Sequence, residues 1–430
     1  MTGFNNKIIL CAVVSVLSCL LCQCNGAEAR HGNSEGMTKV VTDIRDTELR
    51  NHENAYEAGA DYSRERLGSD GPNAYRMENS YNGKDFGQYD NTMKLWKVNS
   101  KNDGGTLLFS DSPEYVHEDG ILYSDTVSGD ARILYYHLNN TDKPKKVAVV
   151  LENVSGKQNE VKITRGGMGD PSNDYLKVGK STQAEYFKTK LDASIRMEPW
   201  SEQLLQDEMD RVVLEPGELI YGVYDFSTKN PVKVSVIMYP ASANPVSFLH
   251  RASVLPKDEQ RLRGTFKGMN RTLSSKKSYD PSKDGVVYFP IGDDEHDLFL
   301  KGIDATDGSQ VVNYGNYGVL YNINIPTKGK KKTSYYLSPR GGVYAGAMTV
   351  KQGKGKSNLL LTPRHRAYFG DVAIGGYSAE MENRDMAFLS WYPEMTELGT
   401  YKNNSKLSFE YSPPGASNLP VHIILMPERS

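Results

Sequence analysis

From Met93 onward, apolar positions fall in short runs broken by turn residues, first Leu95-Trp96-Lys97-Val98, then Gly105 to Phe109, Gly120 to Tyr123 and Ala131 to Leu138. This spacing, rich in β-branched and aromatic residues, predicts strands. Val147 to Leu151 is an unbroken apolar run and predicts a strand buried on both faces. Val161-Lys162-Ile163-Thr164 alternates, so one of its faces should be wet. The link Asn139 to Pro144 is too short to hold a crossover helix, which predicts antiparallel pairing around it. Between Asp174 and Asp210 the period shifts, and Thr182-Gln183-Ala184-Glu185 has the Thr-x-x-Glu spacing of a capping box, so a helix is expected to start there. Strands resume at Val212 to Leu214, Leu219 to Tyr224 and Val232 to Ile237, with turns at Pro216-Gly217 and at Ser227 to Pro231.

A second β series follows the turn-rich stretch from Lys257 to Asp284. Val286 to Phe289 reads as a strand, and Val319, Tyr321, Ile323 and Ile325 alternate with Asn322 and Asn324. Lys328-Gly329-Lys330-Lys331-Lys332 is read as a hairpin connection to Ser334 to Leu337, its lysines protecting a sheet edge. Further strands are expected at Gly342 to Val350, Leu359 to Leu361, Val372 to Ile374, Met386 to Trp391, Leu407 to Tyr411 and Val421 to Met426. No fixed short period recurs, which argues against solenoids and propellers. The expected fold is mainly β, with two antiparallel β-sandwich-like domains at 92–250 and 251–430 and a helical insertion near 174–210.

The first 91 residues differ. Lys7, the apolar stretch from Ile8 to Cys22 and the small-residue triplet Ala27-Glu28-Ala29 follow the three-part order of a signal peptide over 1–29, with cleavage expected between Ala29 and Arg30. Val16-Leu17-Ser18-Cys19 offers the competing reading, lipidation at Cys19, although Leu20 and Leu21 follow where polar residues are usual. Residues 30–91 are polar and poor in apolar side chains, so they are expected to be a largely disordered tether. The only four cysteines, Cys11, Cys19, Cys22 and Cys24, precede the expected cut. The mature chain is then thiol-free, which excludes thiolate metal sites, a cysteine nucleophile and disulfides.

Charge and composition narrow the partners. With 51 basic and 53 acidic residues the formal net charge is -2, which supplies no field for nucleic acid. Past the leader no apolar run has the roughly 20 residues of a membrane helix, so no integral membrane segment is expected in the mature chain. No phosphate loop or His-Glu-x-x-His helix is present. Gly166 to Pro171 resembles a phosphate loop but is read as a surface turn. Asp293-Asp294-Glu295-His296-Asp297 packs acids on one loop, and Asp293, Asp294, Glu295 and Asp297 are the candidate calcium ligands, an ion that wants roughly six to eight oxygens. Asp304, Asp307 and Gly308 read as a turn with too few donors. Tyrosine is abundant, 27 against 12 Phe and 3 Trp, which suits wet sheet faces as well as glycan stacking. Trp96, Trp200 and Trp391 are expected to be core anchors.

The blocks Gly120 to Asn139, Asn313 to Tyr321 (NYGNYGVLY) and Ser338 to Ala347 (SPRGGVYAGA) resemble those of secreted bacterial proteins labelled as containing a copper amine oxidase N-terminal domain. The small stalk module behind that label is not identified in this chain. The resemblance implies a β-rich extracellular envelope protein and not an oxidase. The quinone-forming Asn-Tyr-Asp/Glu is missing, its nearest counterparts being Asn313-Tyr314-Gly315 and Asn316-Tyr317-Gly318. His31, His52, His117, His137, His250, His296, His365 and His422 include no His-x-His or His-x-x-x-His pair. The leading expectation is a secreted or cell-envelope protein that acts by binding or architecture, on a cell-wall polymer or a surface protein, with no catalytic residue assigned. A glycan-binding or glycan-hydrolysing module using tyrosines and a carboxylate pair is the alternative, and a metal-dependent extracellular enzyme the third.

Overall fold

A computed structural model describes residues 92–370, 386–388 and 395–428. The leader with Ala29, Arg30 and Cys19, the tether at 30–91, the strand expected at Val372 to Ile374 and Trp391 lie outside the described residues. The fold is mainly β. Among the described residues no helix is long and apolar enough to cross a membrane.

The described strands form three sheets. The largest is built on Gly120–Asn139 and Leu219–Pro240, paired antiparallel along most of their length. Lys145–Asn153 and Asn159–Met168 add to the far side of Leu219–Pro240, and Thr106–Ser110, Arg263–Lys267, Leu300–Ile303 and Gln310–Asn313 extend the near side. A second sheet orders Met386–Phe388, Thr92–Leu95, Val287–Ile291, Val421–Pro427, Thr333–Pro339 and Thr396–Tyr401. The third orders Ser357–Thr362, Gly346–Gln352, Leu407–Tyr411, Leu320–Asn324, Asn270–Ser274 and Asn99–Asp103. Thr92–Leu95 and Asn99–Asp103 thus pair with strands that follow residue 251, and Arg263–Lys267 pairs with Thr106–Ser110. Hydrogen bonding crosses residue 250 in all three sheets.

Period-two alternation explains how the layers share side chains. Val287, Phe289, Ile291, Tyr335, Leu337, Val421, Ile423 and Leu425 enter one core with Leu273, Tyr321, Ile323, Met348, Val350 and Phe409 of the facing sheet. Their neighbours Val286, Tyr288, Tyr336, Ile424 and Met426 fill a smaller core behind. A sheet covered on both faces needs continuous apolar strands, and Val421 to Met426 is one. Val147 to Leu151 is likewise wholly buried, each Val or Leu contributing roughly 1.5–3 kcal/mol by leaving water. Along Asn159–Met168 the clean alternation at Val161 to Thr164 appears as alternating buried and exposed positions.

Several local expectations are corrected. Ser227 to Pro231 is a bulge and not a hairpin turn: Leu219–Pro240 continues past it, because the long strand Gly120–Asn139 pairs on both sides of the break. Asn159 holds the extra residues, its Nδ2 donating to the Asn230 carbonyl at 3.0 Å while its Oδ1 accepts from Asn230 N. The lysine stretch Lys328 to Lys332 joins strands of two different sheets, so it is a crossing between layers and not a hairpin. Pairing is not purely antiparallel. Thr106–Ser110 lies parallel to Ala131 to Tyr135 of the long strand, because residues 111–119 carry the chain back to that strand's start. Thr92–Leu95 with Val287–Ile291 and Asn270–Ser274 with Leu320–Asn324 are also parallel.

The helical insertion is Tyr175–Lys188, and it begins earlier than the capping-box spacing suggested. Asp174 is the cap, its carboxylate accepting from Lys177 N at 3.0 Å. Thr182 sits mid-helix, where its hydroxyl lies 2.8 Å from the Val178 carbonyl and accepts from Gly169 N at 2.9 Å. Gly166, Gly167 and Gly169 are not a surface turn. A Cβ on Gly167 would come within 2.5 Å of Tyr186 N, so glycine is what lets this helix lie on the sheet. Asn139 and Asn153 end two strands with one turn chemistry: each Oδ1 accepts from the Thr or Ser two residues on, and each Nδ2 donates to a lysine carbonyl four residues on.

Candidate functional site: a carboxyl cluster beside a buried histidine

Most buried charge in the described residues is matched. Arg132 grips Asp225 through two bonds, at 2.6 and 2.8 Å, and donates to the Met269 and Gly318 carbonyls. Arg263 pairs with Asp304 at 2.9 Å and reaches the Ser112, Leu122 and Leu255 carbonyls. Arg271 donates to Asp297 at 2.5 Å and to the Leu298 carbonyl. Each is a charge-assisted clamp between segments distant in sequence.

The acidic loop at 293–297 belongs to this bracing. Asp297 is buried, its second oxygen accepting from Tyr321 Oη at 2.6 Å and Gly292 N at 2.8 Å. Asp293 accepts from the backbone of Glu295, His296 and Asp297 and from His296 Nδ1. Asp294 accepts from Phe299 N, and Glu295 is exposed. The calcium candidates therefore turn their oxygens to different protein donors and do not converge. Among the described residues no group of three His, Cys, Asp or Glu is placed to hold a metal ion. Asp304 and Asp307 are turn residues held by Arg263, Thr306 and Lys257. Of the tryptophans, Trp96 is in the core at 6% exposure, edge-on to Tyr279. Trp200 is not a core anchor: it is 70% exposed at a turn, with φ 61°.

One departure from matched charge lies in the return loop 111–119, at Asp111 and Glu114, although Asp119 of the same loop pairs with Lys145. Asp258 anchors it, accepting from Ser112 Oγ and Glu114 N, each at 2.8 Å. Arg263 holds the Ser112 carbonyl, and Asp111 N donates to the Leu262 carbonyl. His137, wholly buried on the long strand, has Nδ1 2.9 Å from the Pro113 carbonyl. A carbonyl only accepts, so Nδ1 carries the proton and Nε2 accepts from Ser110 Oγ at 2.8 Å. Burial drives this imidazole down to about 4, so it is neutral near pH 7. Ser110 and His137 have the spacing of a nucleophile and its base, but both are fully buried, and a carbonyl stands where an orienting carboxylate would be.

Asp111 and Glu114 are half-buried in this loop, near enough to one another and to Asp258 for their charges to interact. Burial first, then Glu114 and Asp258, push the Asp111 carboxyl well above its usual range. Burial and the Asp258 charge push Glu114 up to about 7. Oδ1 of Asp111 is buried and accepts no hydrogen bond. Among the described residues no Lys, Arg or His side chain pairs with Asp111, Glu114 or Asp258. Burial, then the charges of both acids, raise the phenols of Tyr136 and Tyr317 above their usual range. Tyr317 donates to the Ser417 carbonyl at 2.6 Å. Local spacing could flag only Asp111 and Glu114. Asp258 arrives from a remote segment, which no sequence motif announces.

No family model matches this chain, and no curated protein matches it. Among solved structures it is similar to PNGF-II, at 10% identity over 79% of this chain and 65% of that one, with a TM-score of 0.15. This chain therefore spans slightly less than two thirds of PNGF-II. It is similar also to the 7S globulin of Momordica charantia, at 8% identity over 79% of this chain and 84% of that one, TM-score 0.10. The 11S globulin of Wrightia tinctoria gives 9% identity, 78% and 84% coverage, and a TM-score of 0.10. Scores this low say nothing about the fold or function of this chain.

Proposed function

We propose that this is an exported protein of a bacterial cell envelope that acts by binding, with the Asp111–Glu114–Asp258 cluster as its binding site. One observation carries the reading. The buried arginines are matched to carboxylates, whereas this cluster keeps acids with no counter-charge and an acceptor oxygen with no donor. A buried polar group left so is costly, and a ligand that supplied the missing donor would offset that cost. Export rests on the leader pattern over 1–29 and on the resemblance to secreted β-rich proteins. The test is retention of the full-length protein on isolated cell-wall polymers, with sugar release followed in the same sample. Retention without released sugar is the expected result; no retention on polymers or on surface-protein fractions would overturn it.

Glycan hydrolysis is the second reading, favoured by Glu114 near 7 beside Asp111. A carboxyl still about half protonated at neutral pH next to a second acid is the pairing that glycoside cleavage uses. Released reducing sugar that disappears in Glu114→Gln would establish it in place of the first.

A further inference from the structure

We infer that the lysine-rich end of the second and third sheets is a docking surface for a linear polyanion, a polymer that carries a negative charge on each repeat. The fold assembles this surface. Segments 275–286, 326–332 and 402–406 each carry the chain from one of these two sheets to the other, and 353–356 turns the hairpin between Gly346–Gln352 and Ser357–Thr362. Backbone bonds tie all four together at one end. Tyr279 N donates to the Pro326 carbonyl and Lys328 N to the Tyr279 carbonyl, each at 2.8 Å, Asn403 Nδ2 donates to the Lys328 carbonyl at 3.0 Å, and Gly353 N donates to the Lys406 carbonyl at 2.6 Å. Segments 326–332, 351–356 and 402–406 hold nine lysines and neither an Asp nor a Glu, in a chain whose formal net charge is -2. All of these lysines but Lys332 are exposed, and among the described residues Lys332 alone of them forms an ion pair, with Glu428.

Their placement argues against the usual reason for lysines on a sheet. Lysine guards against edge-to-edge pairing when it stands on the edge strand itself. The two edge strands that these segments adjoin, Ser357–Thr362 and Thr396–Tyr401, contain none. The ammonium groups instead crown the strand ends of two facing layers, which pack roughly 10 Å apart. Each is a hydrated point charge without the fork that grips a single anion, so hold comes from many weak contacts along a chain. Acids near them are already occupied or buried: Asp284 is taken by Lys277 at 2.6 Å, Glu428 by Lys332, and Asp280 is buried. No arginine lies in the four segments, and no large apolar side chain is exposed on them. Nucleic acid is read by arginine and by stacking aromatics, and a bilayer is held by charge together with apolar side chains that enter it. This surface offers charge alone, which is what a flexible polyanion requires.

The test is binding of the full-length protein to linear polyphosphate and to polygalacturonate, polyanions that differ in their charged group, with dextran as the neutral control and double-stranded DNA and phosphatidylglycerol vesicles as the rival partners. Binding of either polyanion, and none of dextran, is expected. With about four lysines engaged at once, affinity should fall about fiftyfold between about 50 and 200 mM salt. One variant combines Lys330→Gln, Lys331→Gln, Lys354→Gln and Lys356→Gln. A second loses the same charge from exposed positions of the largest sheet and its loops, through Lys143→Gln, Lys157→Gln, Lys229→Gln and Lys301→Gln. All eight side chains are exposed, so both variants should keep the wild-type urea midpoint. The first should weaken polyanion binding by more than about tenfold and flatten its salt dependence, and the second should change it by less than about twofold. Equal losses in the two variants, no binding of either polyanion at low salt, or tighter binding of DNA or of the vesicles would overturn the inference. The surface is separate from the carboxyl cluster, so its failure would leave the reading proposed above in place.

Discussion

Glu114→Gln removes a carboxyl whose titration is displaced by the fold, and the consequence for stability has a definite sign. Its pKa is about 7 in the folded chain against an ordinary 4.5. The folded state therefore holds this proton more tightly than the unfolded state does. Its contribution to stability is present below about pH 4.5 and is lost as pH rises through about 7. At 1.36 kcal/mol per pKa unit, the loss approaches about 3 kcal/mol. His137 works in the opposite direction. Its pKa falls from 6.5 to about 4, so its contribution is present above about 6.5 and is lost as pH falls through about 4. The two nearly cancel in wild type between about pH 4.5 and 6.5. The assay is urea unfolding of wild type and Glu114→Gln at several pH values from 4.5 to 7.5. Wild-type stability minus that of the variant should fall by about 3 kcal/mol across that span, the magnitude belonging to the Asp111–Glu114 pair as a unit. A flat difference, or one that rises with pH, would refute the claim that burial and Asp258 hold this carboxyl protonated.

Arg132→Met should destabilise by about 3–5 kcal/mol, since it strands Asp225 beside Tyr186 and frees the Gly318 carbonyl, whereas Arg132→Met with Asp225→Leu should recover a large part of that in a double-mutant cycle. Gly179→Ala should cost more than about 2 kcal/mol in urea melts, because its Cβ would stand 2.1 Å from the Gly415 carbonyl and push the helix off its neighbour. Trp96→Ala should cost about 3–5 kcal/mol by opening the core. Trp200→Ala, at a 70% exposed site, should change stability by less than about 1 kcal/mol, and equal losses in the two variants would contradict the burial assigned to them.

Much of the strand inventory was legible because burial imposes a period. Val147 to Leu151 and Val421 to Met426 are continuous apolar runs and are covered on both faces, while Val161 to Thr164 alternates and is wet on one. Turn chemistry was less legible. Ser227 to Pro231 has turn composition, yet a bulge tolerates the same residues, and only a long partner strand decides between the two. Thr182 to Glu185 has the spacing of a helix start, but Asp174 offers an earlier cap, and the apolar face beyond it completes the helix. The carboxylates of 293–297 drew notice by being adjacent. Adjacency in a turn leaves each oxygen to a different donor, and Arg271, from the next sheet, takes Asp297.

Local physics along the chain therefore determined which segments are strands, which faces are apolar, and that thiol chemistry is absent past residue 24, since each depends on neighbouring side chains alone. Tertiary structure decided the partners. Thr92–Leu95 and Asn99–Asp103 find strands more than 160 residues on, and Asp258 reaches the backbone of Glu114, because pairing and charge act across space once long loops close at small entropic cost. Whether an acid is matched depends on which arginine the fold brings to it, and no spacing in the sequence records that.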